Sequence, residues 1–598
     1  MYHIPPLRWP TILLACGIGV SGLLLEGCGS QATSSTVPRS AAPTLSPAAP
    51  KAVVPRPATV VIGNPTQPEA LSAALAQAYT QGARDLTIAP GEYLLPAAGH
   101  SVFVWEKWQD VVIRAEGVTL VFADLSRAAI RMRDCTGVTW EGGTLRFIRP
   151  AATQGRITAR GSDDAGAFLD WRIDAGYPQG IDPVKSTFDV VDPAIGGLRP
   201  DTGDFSVKVA EVLAPGHWRL RQFHGGVGAA AVGDVVFTRD SSGGNHLFHL
   251  DRSARCAVRG VTLQNSGFAA IFETGGEGGH RYSDCSFVPG PRPSGATEDQ
   301  VVSCGADGFH SASTRVGPTI ERCRWTGVLH DDCIAIHGSL QDVVSSDGNV
   351  LVLVKGDRAG IAVGDPVRIS HKNGFYAEAM CTGVRTPNGG DGQREVVLDR
   401  SLTVPEGAKA GNPRRNGAGF KISQCVLGGA RSRGILVKAD DGLIEGCIIT
   451  GCGMSAISIG PEFWWNEADY SHRVIVRDNI IDSNVRNGSD AGALFIHGDG
   501  AMGNKDLTIT GNTFHRNHGQ IALHAEDVVG LTISGNTFLL PHEPLVTQKP
   551  RTVLSLRRAA GIELKDNLVE MPGEEPLIRL GPGVEPLSDV QKAGLRRR

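Results

Sequence analysis

Five short phrases in the last third of the chain share one pattern, and their spacing leaves few folds open. They are Ile-Glu-Gly-Cys447-Ile-Ile, Val-Arg-Asp-Asn479-Ile-Ile, Ile-Thr-Gly-Asn512-Thr-Phe, Ile-Ser-Gly-Asn536-Thr-Phe and Leu-Lys-Asp-Asn567-Leu-Val, with anchors 32, 33, 24 and 31 residues apart. Each is an alternating apolar strand, a polar turn residue, then apolar residues. Ser283-Asp-Cys285-Ser-Phe and Ile320-Glu-Arg-Cys323-Arg-Trp repeat the pattern upstream. A fixed period of this size marks a repeat architecture in which one supersecondary unit stacks on the next. The apolar spacing alternates with period two, which excludes helical repeats. Units this short cannot hold the four strands of a propeller blade. Asn at the turn tolerates left-handed backbone and can stack its amide on the coil above. The expected fold is all-β, a right-handed parallel β-helix. The 76 glycines and 6% aromatics of the 598 residues suit such a turn-rich chain.

Two stretches, 152–243 and 340–416, lack the turn signature and carry similar phrases, Ala231-Val-Gly-Asp-Val-Val-Phe and Ala362-Val-Gly-Asp-Pro-Val-Arg. Both are expected to be small antiparallel β-barrel insertions growing from loops of one face, where solenoid insertions cluster at binding surfaces. The β-helix then comprises residues 58–151, 244–339 and 417–585. Helical periodicity from Pro68 to Ala83 places a capping helix over the first coil, shielding its edge from pairing.

Residues 1–28 read as an export signal. Arg8 gives a positive region and Ile12 to Leu25 an apolar one, before Leu25-Glu26-Gly27-Cys28. This resembles the lipobox of bacterial lipoproteins, which implies acylation of Cys28, a membrane contact through that lipid, and residence in the bacterial cell envelope. An ordinary signal peptide or a short membrane anchor is the alternative. Residues 29–57, rich in Ser, Thr, Ala and Pro, read as a disordered tether. Net charge is −4, so no electrostatic bias points to nucleic acid. Of twelve cysteines, ten follow the signal; with no Cys-x-x-Cys pair, most are expected to pack in the core rather than bind zinc.

The chemistry concentrates between residues 306 and 338. Asp307 precedes the pair Asp331-Asp332 by 24 residues, near one coil, and each acid neighbours a histidine, His310 or His337. Strands one coil apart lie about 4.8 Å apart, so these carboxylates are expected to share one patch of surface. Asp-Gly is also a common turn, and Asp-Asp at a strand end a common solvated pair. Their convergence would supply the acid and base of glycoside hydrolysis, which inverting enzymes hold about 6.5–9.5 Å apart. Asp307 is expected to be the acid and Asp331 with Asp332 the base pair, in an order left open.

Ala306-Asp307-Gly308-Phe309-His310, Ile320-Glu321-Arg322-Cys323 and Asp331-Asp332-Cys333-Ile334-Ala335-Ile336-His337-Gly338 resemble the signature region of glycoside hydrolase family 110, the α-1,3-galactosidases. Arg431-Ser-Arg433-Gly434, Ile457-Ser-Ile-Gly460 and Trp464-Trp465-Asn466-Glu467 resemble it too, as does a β-helix carrying two barrel inserts. Where that family has Asn-x-x-Gly after the paired acids, this chain has Ala335-Ile336-His337-Gly338. The paired aspartates are also similar to those of the polygalacturonases, another β-helix family. The resemblance implies an inverting glycosidase on an α-galactoside or related glycan, without cofactor or metal. His310, His337, Arg433, Trp464, Trp465 and Glu467 are candidates for binding sugar, the tryptophans by stacking on its C–H face. A polysaccharide lyase, with Arg433 or Lys438 as base and calcium on the aspartates, is the alternative enzyme. A non-catalytic carbohydrate-binding surface protein is the third reading.

Overall fold

A computed structural model describes residues 60–597 apart from 151, 240–243, 387–391, 541–550 and 572–576. The export signal, Cys28 and the tether lie outside the described residues.

Parallel strands pile into three stacks that wrap one elongated core. The first stack climbs through Ile130–Arg133, Phe248–Asp251, Ile271–Thr274, Phe309–Ala312, Ile334–Asp347, Ile435–Lys438, Ile457–Ile459 and Leu494–Ile496. The second runs through Thr319–Glu321, Lys421–Ser423, Leu443–Glu445 and Ile475–Arg477, and the third through Arg324–Thr326, Val426–Gly428 and Ile448–Thr450. Alternate side chains turn inward and bury Ile320, Trp325, Ile334, Ile422, Ile444 and their neighbours in one continuous cluster. The capping helix is present as a short 3₁₀ turn, Pro68–Ala70, leading into Leu71–Thr80, which buries Leu71 and Leu75. The last parallel strand, Leu595–Arg597, pairs with Asn567–Glu570, beyond the expected end of the β-helix at residue 585.

The turn anchors form a single column. Asn479, Asn512, Asn536 and Asn567 are buried, and each side-chain oxygen accepts a backbone N–H from the anchor of the preceding coil at 2.9–3.0 Å. Cys285, Cys323, Cys425 and Cys447 fill the same position in earlier coils, and all ten cysteines after the signal are buried. The left-handed residue, expected to be the Asn itself, is the one before it: Asp284, Arg322, Gly446, Asp478, Gly511, Gly535 and Asp566 all have φ between 52° and 66°. The anchor is thereby freed to point its amide along the column.

Both interruptions of the repeat fold as antiparallel sheets. In the first, Ala152–Asp163, Gly166–Ile173, His217–Gly225, Phe205–Ala214, Phe188–Asp192 and Val235–Arg239 pair in that order, and the last returns to the first. In the second, the strand Ile334–Asp347 runs out of the β-helix without a break. It pairs onward through Val350–Leu353, Arg394–Leu398, Phe375–Arg385, Pro366–His371 and Lys409–Gly411 back to itself. The two similar phrases make the same turn, with Asp234 accepting from the Ala231 N–H and Asp365 from the Ala362 N–H. One insert occupies the loop that enters the first stack and the other the loop that leaves it. They flank the outer face of that stack.

Candidate functional site

A cavity of about 480 Å³ opens on the outer face of the first stack. Its floor is His310, Ala335 and Leu436, which share one row of the sheet. Asp307, Asp331, Asp332, Arg431 and Arg433 stand along the edge where the strands begin. Glu462, Trp464, Trp465 and Glu467 stand along the edge where they end.

The three aspartates converge, with one oxygen from each within 4.8 Å of the others. The coil here is 25 residues long, since Phe309 pairs with Ile334, so Asp307 lies beneath Asp332 rather than Asp331. The Asp332 N–H donates to Asp307 Oδ1 at 3.2 Å. Gly308 is required beside it: a Cβ there would lie 2.3 Å from the Trp325 ring. One oxygen of each aspartate thus approaches closer than the carboxyl separation of about 6.5–9.5 Å expected for inverting acids.

Burial raises the carboxyl of Asp332 to about 8 and that of Asp331 to about 6, with neighbouring aspartates adding to both and Arg433 or Arg431 opposing. The two titrate as a pair, and that pair keeps a proton well above the ordinary carboxylate range. Asp331 is the more open partner, its side chain 38% exposed against 4% for Asp332.

Asp307 is held differently. His337 Nδ1 lies 2.6 Å from the Gly338 carbonyl and so carries the proton, and burial lowers this ring to about 4, leaving it neutral. Its Nε2 therefore accepts from His310 Nε2–H at 2.8 Å, and His310 Nδ1–H donates to Asp307 Oδ2 at 2.8 Å. Burial disfavours the His310 imidazolium, but the charge and hydrogen bond of Asp307 outweigh it and raise its pKa. The result is a relay in which His310 bridges Asp307 and His337. Both nitrogens of each histidine are engaged, and His337 lies behind His310 rather than on the cavity wall. Neither ring presents a free nitrogen to a sugar hydroxyl, contrary to expectation.

On the opposite edge, Lys438 is fully buried between Glu462 and Glu467, bonded to Glu462 at 2.8 Å and also to Glu467. Burial opposes ionisation of these acids, but it is overridden at Glu467 by His337, which is charged only below about pH 4, and by Lys438, and at Glu462 by Lys438 and Arg433. Both pKa values fall, that of Glu467 to about 2. Arg433 spans the cavity: its N–H donates to Asp332 Oδ1 at 2.6 Å, Nη1 lies 3.3 Å from Asp332 Oδ2, and Nη2 binds Glu462. His337 Nε2 also lies 3.8 Å from Glu467, so the histidine relay and the Lys438 cluster meet behind the cavity floor. Lys438, sealed between two carboxylates, is not placed to act as a lyase base.

Trp464 and Trp465 are 66% and 64% exposed. They sit on a 3₁₀ turn, Phe463–Trp465, pinned by buried Phe463 and closed by left-handed Asn466. Arg358 of the second insert bonds the Trp465 carbonyl at 3.2 Å. The first insert reaches the other edge: Arg431 lies 3.4 Å from both its Asp204 and Asp331. Burial pushes the nearby carboxyl of Asp189 up to about 7. Sequence reasoning missed Glu462 and Asp189. Glu462 lies five residues before Glu467 in the same aromatic loop, a signal that was available; Asp189 sits in an insert without a repeat to index it.

A profile described as a right-handed beta helix region matches residues 414–541. Over 279 residues, 45% of the chain, the sequence is 25% identical to alpha-1,3-galactosidase B of Akkermansia muciniphila; the match spans 33% of that enzyme, about a third of its length. The A-module of the Azotobacter vinelandii mannuronan C-5 epimerase AlgE4 superposes with a TM-score of 0.38 at 9% identity, over 86% of this chain and 96% of that one. The catalytic unit of the GH87 alpha-1,3-glucanase of Streptomyces thermodiastaticus gives 0.34 at 11% identity, over 90% and 72%.

Proposed function

We propose that the protein is an exported glycoside hydrolase that cleaves an α-galactoside or a related bond in a glycan. The observation that carries this is the division of labour among three converging carboxylates: one pair whose pKa values are raised, and a third, Asp307, held by a hydrogen bond from His310. The Asp331–Asp332 pair protonates the leaving oxygen as the C1–O bond breaks, with Asp331 the open member that delivers the proton. Asp307 takes a proton from water as the water oxygen bonds to C1. This reverses the acid and base roles expected from sequence. Arg433, Glu462 and Glu467 bind hydroxyls, and Trp464 and Trp465 stack on the ring. The name of the 25% identical relative supports α-galactose as the first sugar to try.

Inversion, which the family resemblance implied, requires a water to enter beside Asp307, where one oxygen of each acid lies within 4.8 Å of the others. A screen of aryl α-glycosides and galactose-containing polysaccharides, with NMR of the first anomer released, tests both points. A retained anomer makes Asp307 the nucleophile, and no hydrolysis of any α-glycoside overturns the assignment. The two inserts read as small barrels walling the site, and Cys28 as a lipid anchor in the cell envelope. Metabolic labelling with a fatty acid, lost in Cys28→Ser, tests the anchor.

One observation favours a second reading. Three carboxylate oxygens within 4.8 Å of one another also suit a divalent cation such as calcium, as in a polysaccharide lyase. Loss of activity with EDTA and a product absorbing in the ultraviolet would mark that chemistry.

A further inference from the structure

The outer row of the first stack continues past the cavity toward the N-terminus. His310 is followed by Phe272 one coil down and His249 two coils down, in register. The Phe272 ring centroid lies 5.2 Å from that of His310 and 4.5 Å from that of His246, with which it stacks at 22°. His249 packs beside both, and Phe268, 40% exposed, meets His246 edge-on. Part-exposed Phe272 and His249, with exposed Phe268 and the buried His246 packed against them, form a shelf on the same strand row as the cavity floor. Its histidines are uncharged: His246 Nδ1–H donates to the Ala269 carbonyl at 3.1 Å, and burial lowers the two rings to about 3 and 4.

We propose that this shelf is a second sugar subsite, holding the leaving-group side of the substrate across the cleaved bond from Trp464 and Trp465. This rests on the hydrolase reading above. The direction follows from the linings. The cavity beneath the tryptophans is ringed by fixed charges that discriminate hydroxyls, as recognition of one particular sugar demands. The shelf offers aromatic surface and few donors, which accepts the C–H face of many sugars. Strand spacing in the stack is about 4.8 Å, so a unit adjoining one bound over His310 falls on Phe272. The substrate is therefore at least a disaccharide that crosses the acids along the helix axis, stacked at both ends.

Two probes separate this from a supporting role for Phe272. They are the glycosyl fluoride and the disaccharide of whichever sugar the screen selects, α-galactose in the first instance. The fluoride has no group to reach the shelf, whereas the disaccharide does. Phe272→Ala should lower kcat/KM for the disaccharide about tenfold while changing fluoride hydrolysis less than twofold, and Phe268→Ala should do the same more weakly. Equal losses on both probes, or no loss on either, would overturn the subsite and leave the hydrolase standing. Wild-type protein inert toward every fluoride and disaccharide removes the hydrolase reading and the subsite together.

Discussion

The two edges of the cavity hold carboxylates in opposite states. Along the edge where the strands begin, buried Asp332 and half-buried Asp331 crowd together with Asp307, and the pKa values of the pair rise. Along the edge where the strands end, Glu462 and Glu467 are also largely hidden, yet theirs fall, because Lys438 lies between them, with His337 the larger influence at Glu467. Burial is common to both edges; the placement of a cation is not. The difference teaches that this fold reserves one set of acids for handling protons and fixes the other as permanent charge, as pairs of titratable groups in divergent environments do. Arg433, bonded to Asp332 and Glu462, ties the two together.

The strongest way to break this division is to neutralise the proton-handling edge. Asp332→Asn and Asp307→Asn should each lower kcat by about a thousandfold or more, since each removes a group that moves a proton in the reaction. The fold should survive, and for Asp332 the stability effect has a predictable sign. Its folded pKa lies above the unfolded value, so the protein loses stability as pH rises from about 4 to about 8 and loses no more beyond that. Asp332→Asn removes this loss, so the variant should melt higher relative to wild type at pH 8 than at pH 5. Thermal unfolding at the two pH values checks this, and a variant that melts lower at pH 8 makes Asp332 a structural residue. Turnover by wild type should fall between about pH 6 and 8, as the pair gives up its proton. A rate still rising through pH 8 would contradict the assignment of the pair as acid.

At the charged edge the same operation should have the reverse consequence. Lys438→Met keeps the length of the side chain but strands Glu462 and Glu467 without their shared cation. Breaking one partner from a buried ion group costs about 3–5 kcal/mol. Denaturant unfolding should show this loss at neutral pH. Acid should reduce it, because the glutamates are protonated there: their depressed pKa values confer stability present above the unfolded value, and that of Glu467 is lost as pH falls toward about 2. If Lys438→Met and Asp332→Asn shift stability in the same direction at pH 8, the contrast between the edges is wrong.

The comparison also shows what could be read from sequence. The anchor column from Cys285 to Asn567 was legible because each coil writes the same turn at one position, and a periodic sequence indexes its own stacking. The convergence of Asp307, Asp331 and Asp332 followed from that period. Which acid lies over Asp307 did not, because adjacent aspartates differ by one residue and the coil is 25 long rather than 24. The protons were not legible either. They depend on His310 and His337 meeting across the strand, and a spacing of 27 residues between partners reflects side-chain reach rather than register. Lys438 looked like a reactive base while its two glutamates, in a loop of irregular length, were unplaced. Asp189 and Asp204 belong to an insert whose antiparallel pairing carries no period linking them to Arg431.

The gentlest test concerns the tryptophans, which share the charged edge but carry no charge. Phe463 is buried and Asn466 binds both the Leu340 N–H and Lys409, so the turn that presents the two rings is anchored without them. Trp464→Ala or Trp465→Ala should therefore leave the melting temperature nearly unchanged. A ring stacked on a sugar face interacts about equally with the bound substrate and with the transition state, because the face it covers changes little as the bond breaks. Uniform binding of this kind appears in KM and not in kcat. At about 1 kcal/mol for one aromatic contact, KM should rise roughly fivefold for each variant with kcat within twofold of wild type. Steady-state kinetics decide the matter. A fall in kcat of the size seen at the aspartates would mean that this edge enters the chemistry, and the line drawn between the two sides of the cavity would disappear.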